Sequence, residues 1–89
     1  MKEKSLQVQG REVATRVKRL EKDRFTYEVE AEVGATIVAG RMTVGLDKGV
    51  GVEKYTQEML QRDLDIFRQK LAEEAVWRAG IAEMMEKVK

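Results

Sequence analysis

Carboxylates, amines, guanidinium groups and two tyrosines are the chemistry-bearing side chains of this 89-residue chain, which contains no His and no Cys. The commonest general base and the commonest metal ligand are therefore missing, and neither a Ser–His nor a Cys–His nucleophile can be assembled. An enzyme built from this set would rely on carboxylate, Lys or Tyr chemistry in a chain with little room for a pocket. Paired carboxylates can share a proton or hold a divalent cation. Asp63 and Asp65 stand two apart, so on a helix they point to different sides. Glu73 and Glu74 are adjacent, and Glu74 has Lys70 and Arg78 four residues away on either side. Both pairs read as the solvated charges of a helix face.

A glycine-containing segment, Gly49-Val50-Gly51, precedes the helical half. Backbone N–H groups at such a helix start can hold phosphate. The fuller dinucleotide and P-loop patterns are absent, as is any Gly-Lys-Ser or Gly-Lys-Thr. A strand-to-helix connection is preferred over an anion-binding nest; a weak cation site where Asp47 and Glu53 flank the loop is a separate alternative. No catalytic residue, metal ligand or cofactor is assigned.

The basic side chains offer a second chemistry, contact with phosphates. Arg11, Arg16, Lys18, Arg19, Lys22 and Arg24 cluster in the first 24 residues and are the candidate nucleic-acid contacts. Over the whole chain 17 basic residues face 16 acidic ones, so no global field favours a polyanion. A hairpin pairing residues 13–18 with 25–33 would also set Arg16 and Lys18 beside Glu28 and Glu30. The nucleic-acid reading is retained as an alternative and not favoured.

The elements that must position these groups fall into two halves. Phe25, Tyr27, Val29, Ala31 and Val33 alternate with Thr26, Glu28, Glu30 and Glu32, the signal of a half-buried strand. Gly34-Ala35 suits a type II′ hairpin turn. That turn sets Val33 opposite Thr36, Ala31 opposite Val38, Val29 opposite Gly40, Tyr27 opposite Met42 and Phe25 opposite Val44. On the other face Glu28 meets Arg41 and Thr26 meets Thr43, pairs worth roughly 0.2–1 kcal/mol each. Upstream, Val13, Thr15 and Val17 predict a further strand, with a short helix as the rival. Leu6 and Val8 have the opposite parity, so either Gly10 is a bulge that restores the face or Leu6 and Val8 belong to a separate arm.

From about Gly51 the period becomes helical. Thr56 can serve as N-cap, with Tyr55 and Leu60 spaced as a hydrophobic staple. Leu60, Leu64, Phe67 and Leu71 form a seam. Trp77, Ile81, Met84, Met85 and Val88 resume its spacing on a rotated face. Glu58–Arg62, Glu74–Arg78 and Glu83–Lys87 are acid-then-base pairs four apart. A helix from Thr56 to Val88 would be about 50 Å long, whereas a nine-residue strand spans about 30 Å. It must fold back near Ala79-Gly80 or carry an overhang that needs cover.

The expectation is a single small domain, 1–89, of α+β class. A three-stranded antiparallel β-meander (5–46) is followed by a long C-terminal amphipathic helical region (52–88), straight or kinked near Gly80. The expected role is a non-enzymatic, homo-oligomeric assembly or structural protein. It self-associates through Trp77, Ile81, Met84, Met85 and Val88, which form the partner interface. An adaptor docking another protein on the same helix is a further alternative. The residues after Met1 show no apolar secretory region, and no stretch approaches the ~20 apolar residues of a membrane helix, so a cytoplasmic, membrane-free protein is expected.

Overall fold

A computed structural model describes residues 3–19, 26–43 and 57–88. The architecture is α+β: an antiparallel sheet in the order β1-β2-β3-β4, followed by one long helix. The strands are β1 (Glu3–Val8), β2 (Arg11–Arg19), β3 (Thr26–Val33) and β4 (Thr36–Thr43), and the helix is α1 (Gln57–Val88). The expected meander gains a fourth strand at its N-terminal edge. The sequence 13–19 is strand, not helix.

The extra strand explains the parity problem at Leu6 and Val8. Gln9 and Gly10 both have positive φ, 50° and 77°, the conformation of a type I′ turn. A two-residue loop pairs Val8 with Arg11 and Leu6 with Val13. An even-length loop reverses the parity of the residues that share a face, so no bulge is needed. The second hairpin obeys the same rule. Gly34 has φ 57° while Ala35 is not in the left-handed region, as a type II′ turn requires. The β3–β4 register is the expected one from Val33↔Thr36 to Thr26↔Thr43. The Phe25–Val44 pair, the Thr56 cap, the Tyr55 staple and the 47–53 loop with its cation and phosphate readings lie outside the described residues.

The sheet's inner face supplies Val8, Val13, Val17, Val29, Ala31, Val33 and Val38 to the core, and α1 supplies Leu64, Leu71, Ala72, Ala75, Val76 and Ala79. Leu60 and Phe67 pack at the margin of this core. The seam thus continues beyond Leu71 through small residues, which let the helix lie close to the strands. Gly40 does the same from the sheet side. A Cβ there would stand 3.0 Å from Phe67 Cζ and 3.4 Å from Leu71 Cδ2.

The helix does not fold back. It is unbroken for 32 residues, about 48 Å, and continues through Gly80. Arg11 at the start of β2 fixes its far end, donating from Nη1 and Nη2 to the two carboxylate oxygens of Glu83 at 3.1 and 2.9 Å. Glu83 is therefore paired with the sheet through a bidentate bridge. Of the anticipated pairs along the helix, Glu74–Arg78 closes at 3.2 Å. Among the described residues, apart from the helix's own adjacent backbone, nothing lies within 4 Å of a Cβ placed on Gly80. Because Gly is disfavoured in a helix interior, Gly80→Ala should raise stability by about 0.5–1 kcal/mol in urea denaturation.

Candidate interaction surface

Two stripes run along α1 on opposite sides. At about 100° per residue, Leu64, Arg68, Leu71, Ala72, Ala75 and Ala79 centre on one direction, and Ile66, Trp77, Ile81, Met84 and Val88 centre about 170° away. The first set is buried against the sheet. The second is exposed: Trp77 66 %, Ile81 38 %, Met84 67 % and Val88 85 %, with Met85 beside them at 65 %. Trp77 lies over the sheet on the back of the helix, between residues that are buried on its front. From Ile81 to Val88 every residue is exposed, including Glu86, which shares the direction of the buried stripe. The helix has run past the hydrophobic core, and among the described residues the contact that reaches its last two turns is the Arg11–Glu83 bridge. All five expected interface residues are exposed, Trp77, Ile81, Met84 and Val88 along one face and Met85 at its margin. Sequence spacing identified them but placed them only on "a rotated face"; their position directly opposite the sheet follows from the continuation of the inner seam through Ala72, Ala75 and Ala79.

The basic candidates divide between faces. Arg11 lies on the helix side and is held by Glu83. Arg16 lies on the outer sheet face among three carboxylates, Glu3 at 3.0 Å, Glu30 at 3.5 Å and Glu32 at 2.7 Å. The hydrogen bond to Glu32 is the largest of the effects that hold its guanidinium pKa above the ordinary arginine value. Lys18 stands opposite Glu28 in the ladder, and Arg19 stands opposite Tyr27 on the other face. Lys22 and Arg24 lie outside the described residues. The outer face is thus a lattice of alternating charge. Thr26 and Thr43 add a hydroxyl pair at 3.3 Å, and Arg41 lies 3.7 Å from Glu28.

A half-open hollow of about 310 Å³ on this face is lined by Arg16, Val17, Lys18, Glu28 and Glu30. Its cations and carboxylates neutralise one another, which gives a phosphate or a metal ion little reason to settle there. Among the described residues no group of three His, Cys, Asp or Glu could hold a metal ion, and no helix is long and apolar enough to cross a membrane.

One polar group was not legible as unusual. Arg68 is 3 % exposed, between the sheet and the helix. Its Nη1 donates to Thr15 Oγ1 at 3.2 Å, and the Thr15 hydroxyl donates onward to the Lys4 carbonyl at 2.6 Å. Among the described residues its Nε has no partner. In the sequence Arg68 is one more charge in a charge-rich helix. Only its position between Leu64 and Leu71, in step with the inner seam, hinted at burial.

No family model matches this sequence, and no curated protein or solved structure matches it significantly.

Proposed function

We propose that this chain is a non-enzymatic assembly or structural protein that acts in the cytoplasm by self-association through the back and overhang of α1. The observation that supports this reading is the stripe of Trp77, Ile81, Met84 and Val88, with Met85 beside it, exposed on a helix whose opposite side is already satisfied by the sheet. Large apolar side chains collected on one surface are the usual mark of an association site. Met adapts its shape to a partner, and Trp is among the residues that most often dominate interface energetics. The Arg11–Glu83 bridge supports the same reading, since it ties a residue off the stripe to the sheet and leaves the stripe itself exposed.

The test is the solution mass by light scattering over a wide concentration range, for the parent chain and for Ile81→Asp. The parent should form a closed oligomer. Ile81→Asp should weaken association at least about tenfold, because a carboxylate placed in an apolar seam must be desolvated without a partner. Its thermal midpoint at low concentration should stay close to that of the parent, since Ile81 is outside the sheet–helix core. A parent chain that remains monomeric at the highest concentrations would overturn the reading.

A further inference from the structure

Building on self-association, we infer that two copies meet antiparallel, tail over tail, about a two-fold axis that passes beside Ala82 and Glu83. Trp77 then lies against the partner's Val88, and Ile81 against the partner's Met84. The argument begins with spacing. The exposed stripe occupies positions 77, 81, 84 and 88, separated by four, three and four residues. That order reads the same in both directions. An inverted copy of the helix therefore sets an apolar side chain against an apolar side chain at every level, two large–small pairs and two medium ones. A two-fold interface requires this kind of self-complementarity.

Charge separates this arrangement from its rival. Followed toward the N-terminus, the same stripe continues through Glu73 and Lys70 before it reaches Ile66. All three are exposed. In a parallel, in-register pair Lys70 would face Lys70 and Glu73 would face Glu73 across the seam, and like charges at close range oppose association. The antiparallel pair sets neither residue against its own copy, because the register that places 77 against 88 and 81 against 84 moves both away from their counterparts. It also sets the two helix dipoles head to tail, a small gain in the same direction. The sheets raise no obstacle. Each lies on the far side of its own helix, so the dimer is layered sheet–helix–helix–sheet, with its sheets displaced toward opposite ends.

The chain contains no Cys, so introduced thiols report without background. Ile81→Cys and Met84→Cys chains, mixed in equal amounts in a glutathione redox buffer, should form the mixed 81–84 disulfide in about tenfold excess over either homodisulfide, because only facing Cα atoms within about 7 Å can bridge. Small-angle scattering of the dimer should give a helical layer about 80 Å long, against about 50 Å for a parallel pair. Predominant 81–81 disulfides with the shorter length would overturn the antiparallel arrangement while leaving self-association standing. So would a parent dimer in which neither thiol cross-links. A parent chain that is monomeric throughout overturns the proposed self-association itself, and points to a different protein as the occupant of the stripe.

Discussion

Gly40→Val should lower the stability of the fold by about 1–3 kcal/mol, the usual penalty for forcing extra carbon into a filled interior. Two effects oppose each other at this position. A β-branched residue is better suited to a strand than glycine, by up to about 1 kcal/mol. Against that gain, the Cβ alone would approach Phe67 Cζ to 3.0 Å and Leu71 Cδ2 to 3.4 Å, and the two methyl groups of Val need further space. The ring must swing aside or the helix must lift from β4, and lifting it would loosen Leu64 and Leu71 together. The clash therefore wins. In urea the midpoint should fall by roughly 1–3 M at the denaturant dependence of a small domain. A control separates steric crowding from a lost backbone preference. Gly40→Ala combined with Phe67→Leu should cost less than the sum of the two single changes, because the smaller side chain vacates the space the new methyl requires. Strict additivity, or a Val variant as stable as the parent, would show that the helix does not depend on this close approach.

The same glycine shows how much of the fold the sequence carried. Gly40 falls on the apolar parity of β4 opposite Val29, so a close helix approach there follows from the register alone. The register in turn follows from Gly34, whose positive φ fixes a two-residue loop. Arg16 and Lys18 beside Glu30 and Glu28 are also as the alternation implied. The first strand was harder to see. Gln9-Gly10 lacks the Asn or Asp that usually leads a type I′ turn, and Gln9 enters the left-handed region without that help. Without a recognised loop, the parity reversal at Leu6 looks like an interruption rather than a hairpin. The second half of the inner seam was hidden for another reason. Ala72, Ala75 and Ala79 pack because they are small, and hydrophobicity patterns give alanine little weight. The larger Trp77, Ile81, Met84 and Val88 then dominate the period, and their direction relative to the sheet emerges only from the buried set. The candidate surface was therefore legible by composition and spacing but not by orientation.

Arg68→Met should raise stability by about 1–3 kcal/mol, an unusual sign for a buried substitution. The guanidinium is almost wholly removed from water, yet among the described residues its one partner is a neutral hydroxyl, and Nε has none. A charge-assisted bond to Thr15 returns on the order of 1.5–3 kcal/mol, while an unsatisfied buried donor costs about 1–3 and desolvation of the charge adds several more. Replacing buried ionic groups by apolar ones of similar volume is often neutral or stabilising for this reason. Met suits the site. It matches the length of the arginine stem, favours helix, and adapts to the irregular space between Leu64 and Leu71. Thr15 is not orphaned by the change, because its hydroxyl still donates to the Lys4 carbonyl at 2.6 Å. The thermal midpoint should rise by about 4–8 °C per kcal/mol for a domain of this size. Thr15→Val provides the reciprocal test. In the parent it removes the acceptor of a buried cation and the donor to Lys4, and should destabilise by about 1–3 kcal/mol. In the Arg68→Met background the first of these losses vanishes, so the cost should shrink markedly. A destabilising Arg68→Met, or equal costs for Thr15→Val in both backgrounds, would mean that Arg68 has a stronger anchor in solution than the Thr15 hydroxyl.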